Sequence, residues 1–173
     1  EHGVFLGASV SSETTAAAAG QVGQLRHDPF AMLPFCGYNM ADYFQHWLDI
    51  GSMTEASLLP RIYFVNWFRK NGAGEYIWPG FGENSRVLKW IFERSSHTAQ
   101  AEKTAIGFIP KQGSLDITGL AISADDLRTL FAIDETAWLA EVEGLRNYFR
   151  VFGDRLPKGI RSELDQLEGR LNA

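Results

Sequence analysis

Between Asn66 and Asn84 the sequence NWFRKNGAGEYIWPGFGEN carries five aromatic rings, Trp67, Phe68, Tyr76, Trp78 and Phe81, set among glycine and proline. Glycine and proline interrupt both helical and strand periodicity, so these rings cannot all share one face of one element. Phe68, Tyr76 and Phe81 therefore project from three different backbone segments. Rings converging from loops suit a flat ligand such as a nucleobase, for which stacking contributes roughly 1 to 3 kcal/mol per base. An aromatic mini-core beneath a loop uses the same residues, and composition alone does not choose between the two.

Charge favours a phosphorylated planar ligand. The 173-residue chain has a formal net charge of -5. The stretch from Arg61 to Arg94 holds six basic and three acidic residues, a local +3, which leaves -8 for the rest. A solvated charged face accounts for the same distribution, and the overall acidity argues against nucleic acid as the partner. Other chemistry is missing. No GxxxxGK followed by Ser or Thr is present to cradle phosphates. His2, His27, His46 and His97 lack metal-ligand spacing to one another or to Cys36; only His27 beside Asp28 is suggestive, and a histidine satisfied within the fold is the simpler reading. Cys36, the one cysteine, reads as a small buried hydrophobe, and its solitude fits a reducing, cytoplasmic compartment. No run approaches the length of a membrane span.

The elements that position these residues follow from pattern. GVFLGAS reads as a short buried strand without a preceding turn, as if the chain began within a domain. The run SSETTAAAAGQVGQ is either an alanine-rich helix or a mobile loop; bracketing glycines and the lack of an apolar stripe favour the loop. HDPFAMLPFCGYNM is an irregular, packed connection. Asn39 opens a helix through Ile50, with Tyr43, Phe44, Trp47 and Leu48 at helical spacing and Gly51 as its end. Arg61 to Phe68 alternates like a strand, with Glu75 to Trp78 as a possible partner across the NGAG turn. Ser85 caps a helix with Val87, Leu88, Ile91 and Phe92 on one face. Ser123 caps a further helix, and Asp134 caps a longer one bearing Trp138, Leu139, Val142, Leu145, Phe149 and Phe152. Pro157 starts a last helix with a docking stripe at Ile160, Leu164, Leu167 and Leu171. One domain of mixed α/β character is expected, with a helical C-terminal third.

Three segments, GVFLGASVSSETTAAAAG, HDPFAMLPFCGYN and LPRIYFVNWFRKNGAGEYIWPGFGENSRVLKWIFER, closely resemble in order and spacing the C-terminal part of GTP-dependent phosphoenolpyruvate carboxykinases. The resemblance is strongest from Gly3 to about Arg94 and weaker through IGFIP and the helical tail. It implies a mixed α/β two-lobed enzyme that converts oxaloacetate and GTP to phosphoenolpyruvate, GDP and carbon dioxide with Mn2+ or Mg2+. This chain would be part of its C-terminal nucleotide-binding lobe: lid loop 14–24, guanine-binding segment 66–84 and helical tail 123–173.

By the same resemblance Phe68, Tyr76 and Phe81 stack on guanine, Tyr76 standing where many relatives have Phe. Gly82, Glu83 and Asn84 contact the base through backbone and side chain, while Trp67 and Trp78 pack behind. Thr14, Thr15, Ala16, Ala17, Ala18, Ala19, Gly20, Gln21, Val22, Gly23 and Gln24 correspond to the lid; relatives commonly carry acidic and basic residues where this chain has Ala19 to Val22. The resemblance also implies that the phosphate-cradling loop with its cysteine, the lysine, histidine and aspartate metal ligands and the arginines that hold the substrate all precede the motifs found here. They would lie in the missing N-terminal part of the same chain, this segment's implied partner, and no catalytic residue is expected here. A monomer without membrane or nucleic-acid partners is implied. The alternative from a different class is a noncatalytic guanine-nucleotide-binding module or a structural fragment.

Overall fold

The computed structural model describes residues 1–13 and 25–173, along which helices alternate with short strands. In chain order these are α1 (His2–Ala8), β1 (Ser11–Glu13), β2 (Leu25–His27), α2 (Met40–Ser52), α3 (Asn84–Ser95), β3 (Ala101–Thr104), β4 (Gly107–Pro110), α4 (Ala124–Phe131), α5 (Glu135–Phe149) and α6 (Lys158–Leu171). They gather into two compact units, Glu1–Ile62 with Thr136–Ala173, and Tyr63–Glu135. No helix among the described residues is long and apolar enough to cross a membrane.

In the first unit, GVFLGAS is helical rather than extended. Val4, Phe5 and Leu6 form an apolar run too short for periodicity to separate strand from helix. Phe5 and Ala8, three residues apart, are the positions buried. Gly7 serves packing: a Cβ on it would lie 2.7 Å from the Phe30 ring. The helix packs on α6, where His2 Nδ1 lies 3.0 Å from Glu163 Oε2.

Asn39 caps α2 as its sequence predicts, its Oδ1 accepting from the Ala41 N–H at 2.9 Å. The helix continues through Gly51 to Ser52, a glycine in the last turn being tolerated because nothing packs against it. Phe44 is fully enclosed and meets Phe152 edge to face at 5.3 Å. In α6 all four stripe residues, Ile160, Leu164, Leu167 and Leu171, are buried, as are Val142, Leu145 and Phe149 of α5. The proline-punctuated connection is packed only at its start. Asp28 and Pro29 are buried, whereas Phe35 and Tyr38 are exposed after two 3-10 turns. Cys36 is half-buried rather than enclosed, its Sγ donating to the Tyr38 carbonyl at 3.4 Å.

The second unit is built on Trp78, Trp90 and Leu115, with Trp67, Val87 and Ile91 packed against them. Arg61 to Phe68 forms no strand. Its burial does alternate, with Tyr63, Val65 and Trp67 inward and Phe64, Asn66 and Phe68 outward, but a strand also needs a partner. Across the NGAG turn to Glu75–Trp78, bridging is limited to the single pair Lys70 and Tyr76. In α3, Ser85 lies inside the first turn, its hydroxyl donating to the Gly82 carbonyl at 2.6 Å, so it is not the cap. The inward stripe runs through Val87, Trp90 and Ile91; Leu88 and Phe92 point outward. A β3–β4 hairpin, unforeseen in the sequence, follows, pairing Ala101 with Pro110 and Thr104 with Gly107. Ser123 caps α4, accepting from the Asp126 N–H at 3.0 Å.

The two faces of α3 separate cleanly. Trp90 is 5% exposed and Phe92 72%. Trp90→Ala is expected to lower stability by about 3–5 kcal/mol, and Phe92→Ala to change it by no more than about 0.5 kcal/mol. Chemical-denaturation midpoints check both, and equal losses would reject the assignment of faces.

Candidate functional site

A tight turn brings two of the expected rings together. Asn71 organises it: its Oδ1 accepts from the N–H groups of Ala73 and Glu75, both at 3.0 Å. Main-chain bonds from Asn71 N to Glu75 O and from Ile77 N to Arg69 O, each 2.9 Å, close the two arms. Phe68 and Tyr76 thereby face each other edge-on, with centroids 6.1 Å apart and an interplanar angle of 67°. Lys70 Nζ stands 5.0 Å from the Tyr76 centroid, a cation over an aromatic face. Both rings remain open, at 70% and 60% exposure.

The backbone then bends sharply. Gly80 has φ 77° and Phe81 φ 48°, a left-handed conformation that costs a phenylalanine energy. Phe81 is 96% exposed and, among the described residues, makes no ring contact with Phe68 or Tyr76. Phe81–Glu83 forms a 3-10 turn that runs directly into α3. Glu83's carboxylate is occupied by Arg86 Nε at 2.5 Å, and Arg86 Nη1 donates to the Asp116 carbonyl at 3.1 Å. Thr118 holds the Asp116 carboxyl below the usual carboxylate range through its backbone and side-chain hydrogen bonds, with Arg86 adding to the effect. Glu83 therefore offers a ligand its backbone rather than its charge.

Asn84 opens α3 half-buried, and its Oδ1 accepts from the Trp78 indole N–H at 2.9 Å. Trp78 is buried and Trp67 partly so, both behind the exposed rings. The structure thus joins Phe68 to Tyr76 and Asn84 to Trp78, with Phe81 and Gly82 exposed on the bend between. Exposed flat rings, a carboxamide and a nearby ammonium can stack on and hydrogen-bond a planar ligand. Lys70 over Tyr76 and the Trp78–Asn84 bond were not apparent in the sequence. A buried indole demands an acceptor for its N–H, but that rule does not say which residue supplies it.

The His27–Asp28 pair is structural. His27 stacks on Tyr148 with centroids 3.9 Å apart, and its Nδ1 lies 3.3 Å from Ser11 Oγ. Asp28 accepts from Ser12 Oγ at 3.1 Å and from the Leu33 N–H at 3.2 Å. Among the described residues no group of three or more His, Cys, Asp or Glu side chains is placed to hold a metal ion. The expected lid, Thr14–Gln24, lies outside the described residues; β1 and β2, which flank it, pair antiparallel.

Comparison with known proteins covers the whole chain. Residues 1–170 match the model of the phosphoenolpyruvate carboxykinase C-terminal P-loop domain. Phosphoenolpyruvate carboxykinase (GTP) of Treponema pallidum strain Nichols is 51% identical over 173 residues, 99% of this chain. The proteins of the same name from Neocallimastix frontalis and Chlamydia muridarum are each 53% identical, over 100% and 99% of the chain. This chain spans 28% of the length of each of these relatives.

Two rings of the first unit carry a pH signature. Burial lowers the His27 pKa from its ordinary 6.5, outweighing the opposing influence of Glu141. Burial, with Asp28 adding, pushes Tyr148 up to about 12. A depressed histidine value makes a stabilising contribution that is present above the unfolded-state pKa and is lost as pH falls through the folded one. For Tyr148 the contribution is present below the ordinary value of 10 and lost as pH rises toward about 12. His27→Gln is expected to flatten the acid limb of a stability-against-pH curve below 6.5, and Tyr148→Phe the alkaline limb above 10. Denaturation midpoints across pH check this; limbs as steep as in the parent protein would reject it.

Proposed function

This chain belongs to the GTP-dependent phosphoenolpyruvate carboxykinase family, and on that premise we propose that it is the guanine-nucleotide-binding, lid-bearing part of the enzyme's C-terminal lobe. The complete enzyme converts oxaloacetate and GTP to phosphoenolpyruvate, GDP and carbon dioxide. The observation that carries the reading is the set of three exposed rings, Phe68, Tyr76 and Phe81, on a segment whose backbone is otherwise anchored to a packed core. Leaving large apolar surface open costs hydrophobic stabilisation, about 1.5–3 kcal/mol for each such side chain that could have been buried. A ligand that covers the rings recovers that loss.

In this reading guanine stacks on the rings while the backbone of Phe81, Gly82 and Glu83 and the carboxamide of Asn84 meet its polar edge. Stacking tolerates any base; the hydrogen bonds select one, because a ligand that leaves them unpaired is penalised. Lys70 adds positive charge beside the rings. The family's divalent metal would neutralise phosphate charge, but the described residues supply no ligand set for it. Its ligands would come from the part of the complete enzyme that precedes these motifs, which would also supply the phosphoryl-transfer chemistry. A cytoplasmic monomer is the accompanying proposal, supported by the single cysteine and the family resemblance.

The lid assignment to residues 14–24 rests on the resemblance of SSETTAAAAG. Alanine adds almost no side-chain entropy to the cost of ordering a loop, which suits a segment that closes over substrate.

In the full-length enzyme Phe81→Ala and Asn84→Ala are each expected to weaken GTP binding about tenfold, the order of one lost stacking or hydrogen-bonding contact. Oxaloacetate binding should change little. Calorimetric titration with GTP measures the effect, and unaltered affinity in both variants rejects the site. Removing residues 14–24 is expected to abolish turnover while the circular dichroism spectrum is retained; undiminished turnover rejects the lid.

A further inference from the structure

An asparagine carboxamide is nearly symmetric in shape, so sterics alone do not decide whether its oxygen or its amino group faces outward. Only its hydrogen-bond partners do. At Asn84 that partner is the Trp78 indole, 2.9 Å away. An indole N–H is a donor only, so the atom it meets must be Oδ1. Because the oxygen is turned inward, the amino group of Asn84 is turned out.

Neither partner has freedom to reverse this. Trp78 is buried among Trp90 and Leu115, with Trp67, Val87 and Ile91 around them, so the direction of its N–H is fixed by core packing. Asn84 is the first residue of α3 with helical backbone angles, φ -59° and ψ -27°, which fix the direction of its Cβ. The indole is thus a rigid peg and the carboxamide a pointer set against it.

We propose that Trp78 is the positioning residue for base selection: its N–H holds the Asn84 carboxamide with the amino group outward, so that the site accepts a purine bearing an acceptor at ring position 6 and disfavours one bearing an amino group there. The inference rests on the reading that Asn84 faces the base. Guanine and hypoxanthine carry the acceptor; adenine carries the amino group, which would meet the Asn84 donor head-on. Without the indole N–H the carboxamide turns freely about its terminal torsion and can present its oxygen to adenine. Discrimination, rather than affinity as such, is what the indole supplies.

The test compares kcat/KM for GTP, ITP and ATP in the full-length enzyme carrying Trp78→Phe, Asn84→Asp or Asn84→Ala, with a thermal midpoint for each. Trp78→Phe keeps a ring in the core and removes the N–H; the GTP-to-ATP preference is expected to fall about tenfold, the worth of one hydrogen bond, with ITP following GTP. Asn84→Asp keeps an acceptor for Trp78 and replaces the outward donor by an oxygen. GTP and ITP should lose and ATP gain relative to them.

A uniform loss for all three nucleotides in Trp78→Phe, or an unchanged preference, would show that Trp78 only packs and would overturn the inference. If Trp78→Phe does not yield folded protein, replacing Trp78 by the near-isosteric 3-benzothienylalanine, which removes only the N–H, decides: a fall in the GTP-to-ATP preference supports the inference, and equal losses or an unchanged preference overturn it. Asn84→Ala separates this from the underlying reading. If it leaves the kcat/KM values for all three nucleotides unaltered, Asn84 does not meet the base and both fall; if it weakens GTP and ITP while the Trp78→Phe preference stands unchanged, only the role of Trp78 falls.

Discussion

Two buried indoles fix the geometry of the unit from Tyr63 to Glu135. A tryptophan in a core must bury a large ring and also find an acceptor for its N–H. Trp90 donates to Ser114 Oγ at 3.1 Å, and Trp78 donates to Asn84 Oδ1 at 2.9 Å. The first bond ties α3 to the loop that supplies Leu115; the second ties the start of α3 to the segment preceding it. Between Trp78 and Asn84 the chain has only five residues in which to turn from the buried indole back to the half-buried carboxamide that accepts its N–H. Pro79, Gly80 and the left-handed Phe81 are how it does so. The exposure of Phe81 accords with that short span: with its two ends tied by the Trp78–Asn84 bond, the middle of the bend points to solvent.

The electrostatics of the segment follow from the same arrangement. Arg86 binds Glu83 and reaches Asp116, so three charges of the region satisfy one another. Lys70 lies over Tyr76 on the other arm of the segment. What remains for a ligand is a set of ring faces, main-chain polar groups and one carboxamide. Such a surface distinguishes ligands by shape and hydrogen-bond pattern, since the carboxylate nearest the bend is already neutralised. A planar heterocycle with a polar edge fits that surface better than a compact anion does.

Much of this was legible in the residues. Burial from Tyr63 to Phe68 does alternate as the strand-like pattern of Arg61 to Phe68 suggests, because burial on one side is a local property of the sequence. Whether such a segment joins a ladder depends on a partner elsewhere in the chain, which its own residues do not report. The same limit explains α3. Val87 and Ile91 are inward as expected, but the stripe turns toward Trp90 rather than Leu88 and Phe92, since all five residues are apolar and only tertiary packing selects among them. For α1, the apolar run Val4–Leu6 is too short for its period to show, and Gly7 answers to a distant constraint, the close approach of Phe30. The stripe of α6 was fully legible, its polar residues separating the apolar ones at regular intervals. Phe68, Tyr76 and Phe81 are exposed on separate parts of the segment, as glycine and proline between them require, whereas the Trp78–Asn84 bond required knowing which acceptor the fold brings to the indole.

The first unit applies a comparable constraint at β1 and β2. Glu13 pairs with Leu25, Ser12 with Arg26 and Ser11 with His27. The buried carboxylate of Asp28 reinforces the ladder by accepting from Ser12 Oγ, while the Asp28 N–H donates to the Val10 carbonyl at 2.9 Å. His27, stacked on Tyr148, fastens the same strand to α5. Bringing the ends of an eleven-residue segment together carries an entropic cost that grows only with the logarithm of its length. Here Glu13 and Leu25 are held by bonds that do not involve residues 14–24, so that cost is already met by the stem.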